Sequence, residues 1–386
     1  MPENLTDRNR CHKCDKTGKR KKDKLSKCER CHAITYCSRE CQVEDWPRHK
    51  ENCVPVMVTE VEEKGRGLVA ARDIKMGEEI LLDNTVIILD IPDGVITPTI
   101  ARLFKQQIQA LSDEESTQFY NLKTVDNIVL SSRDLKILRR ENCLRELKIF
   151  RSNKFDVFQP EFEVLFHNLA LINHSCAPNA DFYLKPEESA DETKVKFELR
   201  AIKDICKGEE ITIFYLHFNF GILPKLMRQT KLKDKFGFDC KCSVCCGKAD
   251  DQDELTMKLF KLCSDSDLFR DSLKSKKYHC PPDEWKKFAI KEGLVLAVSQ
   301  DLYIGNLNTK IVACYRATIA SQMARDPVIR GKALAVWKEL VMKTGFEQRK
   351  ADFKEIEEMV AKWSPQFDHG IPPTKEEIDS FNNFKL

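Results

Sequence analysis

No run of 18 or more apolar residues occurs anywhere in the 386-residue sequence, so no segment has the make-up of a membrane-spanning helix. Residues 1–10 lack the basic start, apolar stretch and small-residue cleavage site of a leader, and neither secretion nor membrane insertion is expected. Charge of one sign is scarce as well. The formal net charge is only +3, too little to make the whole chain a nucleic-acid binder. Disorder is excluded from the other side, because 42% hydrophobic content over this length supplies cores for two or three domains.

Cysteine, by contrast, is abundant. Seventeen in a chain without a leader point to a reducing compartment, nucleus, cytosol or both, where thiolates bind zinc in preference to pairing as disulfides. Eight ligand-type residues crowd one N-terminal stretch: Cys11, Cys14, Cys28, Cys31, Cys37, Cys41, His49 and Cys53. Each C-x2-C pair brings two thiolates to one tetrahedral ion, and the longer gaps let the backbone return to complete each sphere. Eight ligands make two closed structural sites with no open position for catalysis. So short a segment could hardly fold without the metal. His12 and His32 each neighbour a ligand cysteine and are expected at the surface with no metal role.

The charge is unevenly spread. Residues 1–54 carry 14 Lys and Arg against 9 Asp and Glu, and much of the excess lies in Lys16–Lys27, where Lys19, Arg20, Lys21 and Lys22 are adjacent. Such a cluster can be a nuclear import signal or a phosphate-contacting patch. A solvated loop is the plainer reading of the same residues.

After Cys53 the texture becomes β-rich, with strands expected at Val56–Val61, Leu68–Ala71 and Glu79–Leu89 and a turn at Lys64–Gly67. The run Asp73-Ile-Lys-Met-Gly-Glu-Glu-Ile80 recurs nearly verbatim as Asp204-Ile-Cys-Lys-Gly-Glu-Glu-Ile211, although the flanks do not match and no domain duplication is implied. In each copy a glycine turn, Gly77 or Gly208, follows one strand and launches another. Between them, Pro98–Gln109, Ser112–Leu122 and Ser132–Phe150 have helical periodicity, the second with a Ser112/Glu115 capping pattern. A helical insert therefore interrupts a β framework. From Asp251 onward strand character almost disappears. Glu254–Phe269, Pro282–Gln300, Thr309–Arg325, Pro327–Thr344 and Phe346–Trp363 predict about five helices, with no convincing internal repeat, which suits a plain antiparallel bundle.

The ligand order of six Cys, then His, then Cys differs from that of a RING finger, where His stands mid-series, and resembles a MYND finger. Three further stretches extend the likeness: Gly65-Arg66-Gly67 before a strand, Asn173-His-Ser-Cys-Ala-Pro-Asn179, and Gly208-Glu-Glu-Ile-Thr-Ile-Phe-Tyr215. Together with Cys240-Lys-Cys242-Ser-Val-Cys245 they look like a SET-domain methyltransferase. With the finger in front, the chain resembles the SET and MYND domain (SMYD) family, in the MYND-first order found among invertebrates. The resemblance is dense from Cys11 to Cys245 and fades beyond it to shared helical character.

What the resemblance implies can be set out by residue. The fold would be α+β: a MYND finger over 1–54, a SET domain over 55–250 with its helical insert at about 95–150 and a post-SET zinc segment at 236–247, and an all-α domain over 251–386 that either closes one side of a substrate groove or is purely structural. One finger zinc would sit on Cys11, Cys14, Cys37 and Cys41, the other on Cys28, Cys31, His49 and Cys53. A third would use Cys240, Cys242 and Cys245 with Cys176 as fourth ligand, Cys246 being the alternative. S-adenosylmethionine would be held by Gly65, Arg66, Gly67, Asn153, Asn173, His174, Tyr215 and Phe238, the last stacking on adenine. Glycines at 65 and 67 would let backbone press against so bulky a ligand.

Tyr215 is the catalytic candidate. In-line methyl transfer to a lysine amine needs aligned reactants, excluded water and an uncharged amine, and a positioned phenol can orient that amine. The resemblance would place Phe236, with Tyr215, in the substrate channel, at a position where several SMYD enzymes have Tyr, and a phenyl ring cannot hydrogen-bond the amine. The segment Val164-Leu-Phe-His-Asn-Leu169 also lacks the family's usual Gly and Pro. The activity implied is protein-lysine N-methylation by a monomer located in nucleus and cytoplasm, with a histone or another protein as substrate. A SET/MYND adaptor that docks proline-rich peptides is the alternative, and the basic loop leaves a DNA contact open. Cys143, Cys206, Cys263, Cys280 and Cys314 follow no pattern and are expected to be buried thiols.

Overall fold

In the computed structural model, the described residues between 10 and 53 fold around their ligand side chains. The residues described are 10–18, 25–31, 34–50, 53–91, 94–125, 128–157, 162–185, 196–216, 223–246, 254–263, 282–301, 307–346, 350–351, 353–358 and 360–361. Strand β1 (Ser26–Lys27) pairs antiparallel with β2 (Thr35–Tyr36), and α1 (Arg39–His49) follows, capped by Ser38, whose Oγ accepts from Cys41 N at 3.3 Å. Cys11, Cys28, Cys31 and Cys53 are buried with Ile34 and Tyr36, so the ligands themselves are the core. His12 departs from its expected surface position. Its side chain is only 8% exposed, with Nδ1 2.7 Å from Asp45 Oδ2 and its ring packed near Tyr36 and His49. A buried carboxylate on α1 draws it in. His32 and most of the basic cluster lie outside the described residues.

Strand β3 (Val56–Val61) forms a hairpin with β4 (Gly65–Ala70), Val61 standing opposite Gly65. The strand therefore begins at Gly65, and the turn is Glu62–Lys64 instead of Lys64–Gly67; Glu63, at φ +62°, takes the left-handed turn position. Strand β5 (Glu79–Asp90) is the longest and buries Ile80, Leu81, Asp83, Ile87 and Leu89.

The helical insert lies on β5. It comprises α2 (Pro98–Gln109), α3 (Asp113–Tyr120), α4 (Ser132–Arg140) and α5 (Leu144–Asn153). Gln107 joins insert to sheet, its Oε1 accepting from Ile88 N at 2.9 Å and its Nε2 donating to Ile88 O at 2.8 Å. The expected Ser112/Glu115 capping box is present. The stretch Ser132–Phe150, expected as one run, breaks into α4 and α5 because Asn142 turns left-handed at φ +54°. Phe104, Phe119, Leu138, Leu147 and Phe150 pack with Ile87, Leu89 and Leu165 into one core.

Strands β6 (Phe155–Val157), β7 (Phe162–Phe166), β8 (Asn173–His174), β9 (Ala180–Lys185), β10 (Lys196–Ala201) and β11 (Glu210–Ile213) complete two sheets. Their orders are β6-β7-β5-β10-β9 and β3-β4-β11-β8. The two copies of the repeated octapeptide face each other. Ile74 and Ile205 exchange backbone bonds of 2.9 and 2.8 Å, Asp204 Oδ1 accepts from Met76 N at 2.9 Å, and Asp73 Oδ1 accepts from Lys207 N at 2.8 Å. Each loop thus caps the other. Gly77 and Gly208 both sit at positive φ, +83° and +87°, which explains why glycine recurs there.

Helices α6 (Lys225–Phe236) and α7 (Ser243–Cys246) follow, then α8 (254–263), α9 (Pro282–Asp301), α10 (Leu307–Met323) and α11 (Pro327–Thr344). Residues 350–351, 353–358 and 360–361 are helical too. This region is helical, as expected, and α10 packs against both α9 and α11. Ala289 and Ala320 are small enough to let α9 and α10 approach closely beside Phe288. Among the described residues no helix is long and apolar enough to cross a membrane. Two units emerge, one of Met1–Asn173, Phe182–Thr212 and Leu232–Asp239, the other of His174–Asp181, Ile213–Lys231 and Cys240–Leu386.

Candidate active site and metal centres

Three clusters gather the cysteines: Cys11, Cys14, Cys37 and Cys41; Cys28, Cys31, His49 and Cys53; Cys176, Cys240, Cys242 and Cys245. Within each, all ligand atoms lie within 4.8 Å of one another. Zinc–sulfur bonds of about 2.3 Å in a tetrahedron place sulfurs about 3.8 Å apart. The observed separations match: Cys14 to Cys37 3.5 Å, Cys37 to Cys41 3.6 Å, Cys28 to Cys53 3.9 Å, Cys176 to Cys240 4.0 Å and Cys176 to Cys245 3.6 Å. His49 Nε2 stands 3.6 Å from Cys31 Sγ. All-thiolate and Cys3His donor sets of this size fit structural zinc, and none has a spare position. Cys246 is exposed and outside the third cluster, so the alternative ligand is discarded. Cys206 is exposed as well, against expectation, because it sits at the tip of the second repeat loop; Cys143, Cys263 and Cys314 are buried, and Cys280 lies outside the described residues.

The Gly-Arg-Gly turn and Asn173 form one assembly. Asn173 Nδ2 donates to Arg66 O at 3.2 Å and to Glu210 Oε1 at 2.8 Å, while Lys64 Nζ pairs with Glu210 Oε2 at 2.5 Å. A Cβ on Gly67 would stand 2.8 Å from Asn173 Nδ2 and 2.8 Å from Val61 Cγ2, so this glycine makes room for a side chain of its own protein. Gly65 differs. It takes φ +81°, and nothing lies within 4 Å of where its Cβ would stand. Arg66 reaches out to donate to Asn121 O. Glu210 was not singled out from sequence, though its place in a repeated Gly-Glu-Glu run was a signal.

Asp83, also unmarked in the sequence, is buried on β5 and accepts from Asn168 N at 2.9 Å, Leu169 N at 2.9 Å and Asn168 Nδ2 at 3.0 Å. Burial pushes its carboxyl above the usual range against these three donors. It fixes the segment leading to Asn173, the segment that lacks the usual Gly and Pro.

His174 and Tyr215 meet. Tyr215 N donates to His174 Nδ1 at 3.1 Å, and the rings lie 5.4 Å apart, tilted by 54°. Phe214 covers the same imidazole at 5.4 Å. With Nδ1 accepting, the ring proton sits on Nε2, which faces Cys176 Sγ at 3.5 Å. Both nitrogens of this buried imidazole are therefore engaged inside the protein. Ser175 N continues the strand pairing by donating to Ile213 O at 3.0 Å.

Asn153 ends α5, where its Nδ2 donates to Lys123 O and Ile149 O, both at 2.8 Å. Phe236 closes α6, and Gly237 at φ +71° turns the chain so that Phe238 follows with its ring centroid 6.5 Å from that of Phe236. Both rings are half-buried.

Comparison with known proteins bears on this arrangement. The MYND finger model matches residues 11–53 and the SET domain model residues 65–216. N-lysine methyltransferase SMYD2 of Bos taurus is 26% identical over 240 residues, 60% of this chain and 50% of that protein. The Homo sapiens SMYD2 gives the same identity and coverage. Histone-lysine N-methyltransferase ASHR1 of Arabidopsis thaliana is 24% identical over 260 residues, 66% of this chain and 50% of that protein. The chain spans about half the length of the curated relatives it matches. Among solved structures, the SET domain of LSMT bound to lysine and AdoHcy covers 87% of this chain and 94% of its own, at 16% identity and a TM-score of 0.35, too weak a likeness to carry an inference.

Proposed function

We propose that this chain, a SET- and MYND-domain protein with its finger ahead of the SET domain, methylates the side-chain amine of a lysine in another protein. The donor would be S-adenosylmethionine, which supplies a methyl group made electrophilic by its sulfonium. The observation that carries the reading is the bond from Tyr215 N to His174 Nδ1, which fixes the proposed catalytic tyrosine to the Asn-His motif.

Each residue then has a task its chemistry suits. Gly65 offers open backbone, and Asn173, with its amide hydrogens directed to Arg66 O and Glu210, offers its oxygen to a donor group such as an ammonium. The phenol of Tyr215 orients the lysine amine, whose unperturbed pKa of about 10.4 must fall for the amine to be uncharged; burial beside a cation lowers it. Phe236 and Phe238, with ring centroids 6.5 Å apart, are the apolar aromatics that the family resemblance assigns to the substrate channel and to adenine. Phe236 cannot donate to the amine, which leaves orientation to Tyr215. The substrate is a protein, and the MYND finger suits docking of a proline-rich segment.

Calorimetric titration with S-adenosylmethionine, followed by transfer of labelled methyl to candidate proteins, tests the proposal. Tyr215→Phe should keep cofactor binding and lose transfer by roughly 10²–10³-fold. No binding by the unaltered protein, or undiminished transfer by the variant, would refute it.

A further inference from the structure

The three metal clusters are unequally sheltered. All four ligands of the second finger site are buried, and so are all four of the post-SET site. In the first finger site only Cys11 is buried; Cys37 and Cys41 are half-buried and Cys14 is exposed. The sulfur of Cys14 lies 3.5 Å from that of Cys37. A zinc-bound cysteine is a thiolate, the form that attacks peroxides, and access then decides which thiolate reacts.

We propose that Cys14 and Cys37 form an oxidation site, at which a peroxide converts the two thiolates to a disulfide and expels zinc from the first finger site while the other two ions stay. The exposed Cys14 thiolate attacks one peroxide oxygen, breaking the O–O bond and leaving a sulfenic acid and hydroxide. The Cys37 thiolate attacks the sulfenic sulfur and displaces the second hydroxide. Two thiolates lose two electrons, the peroxide gains two, and two protons complete two waters. Cys11 and Cys41 remain, too few donors for a closed tetrahedral site. Cys206 and Cys246 are exposed as well but belong to no metal cluster among the described residues. Nothing in this inference depends on methyl transfer.

The test uses the full chain loaded with zinc. Graded hydrogen peroxide is added, release is followed with a chromogenic chelator, and non-reduced peptides are mapped by mass spectrometry. One equivalent should leave first, together with a Cys14–Cys37 disulfide, and dithiothreitol with added zinc should reverse both changes. Simultaneous loss from all clusters, or a first disulfide among the ligands of either buried site, overturns the proposal. Cys14→His retains four ligands but cannot form the bond, and it should slow the first release by at least roughly tenfold. Unchanged release in that variant also overturns it. If the variant does not take up its metal, the peptide map of the unaltered protein decides.

Discussion

Tyr215 hangs on His174, whose Nδ1 accepts the tyrosine's backbone N–H at 3.1 Å while Nε2 points at the sulfur of Cys176, 3.5 Å away. One imidazole thus supports both the tyrosine and a ligand of the third cluster. Partners of this kind orient the metal ligand, and their loss costs roughly 10- to 100-fold in metal affinity. His174→Ala should weaken the third site by that factor and leave both finger sites unchanged. Chelator competition on the full chain measures it, and an unaltered third site would show that the contact is incidental.

The two glycines of the Gly-Arg-Gly turn should respond differently to alanine. At Gly67 a methyl group collides with Asn173 Nδ2 and Val61 Cγ2, which predicts about 1–3 kcal/mol of destabilisation and displacement of the Asn173 amide. At Gly65 the cost is only that of a left-handed backbone, about 1–2 kcal/mol, with space to spare. Urea unfolding reads the stability, and S-adenosylmethionine titration reads the amide. Gly67→Ala should lose cofactor affinity through displacement of the Asn173 amide; unaltered affinity would mean that Asn173 does not hold the ligand.

These glycines also mark how far the sequence could be read. Local patterns revealed the ligand-type residues of the finger, the Ser112/Glu115 cap and most helix limits, whereas the division of the ligands among the clusters, with Cys176 joining Cys240 from far along the chain, came only from the family resemblance. Relations across the chain were hidden. Gly67 accommodates Asn173 from more than a hundred residues away, and no pattern near either residue says so. The octapeptide repeat was visible, yet its mutual capping through Asp73 and Asp204 needs the two loops brought face to face. The break at Asn142 was missed because helical periodicity runs across it and only the left-handed backbone interrupts it. His12 looked like a surface residue because its partner, Asp45, is buried on a helix far along the finger.

Asp45 should be essential to the finger. Its carboxylate is 2% exposed and takes Tyr36 OH at 2.8 Å, Arg48 Nε at 3.0 Å and the His12 ring at 2.7 Å. Tyr36 and His12 adjoin ligands of the first site, and α1 carries ligands of both. Removing one member of a buried charged network costs roughly 3–5 kcal/mol because its partners are left unpaired. Asp45→Ala should therefore release both finger zincs at chelator concentrations that leave the post-SET ion bound. Metal content after dialysis checks it, and retention of all three ions would mean that the network is dispensable.

His167 gives the molecule a pH dependence of known sign. Both its ring nitrogens are buried without a hydrogen-bond partner among the described residues, and burial lowers its pKa to about 4, with Glu115 and Glu114 opposing the shift. The folded state therefore refuses a proton that the unfolded state accepts at its ordinary value of about 6.5. Between these two values the unfolded chain binds more protons, so stability rises with pH across the window and is lost as pH falls through it. The full loss, complete below about pH 4, is about 3 kcal/mol at 1.36 kcal/mol per unit. Other groups titrate in the same range, so the difference between the unaltered protein and His167→Leu isolates this one. Urea unfolding at pH 7 and pH 4.5 should show the variant gaining most of that amount relative to the unaltered chain at the lower pH. Parallel profiles would mean that the imidazole finds a partner or water on protonation and carries no such cost.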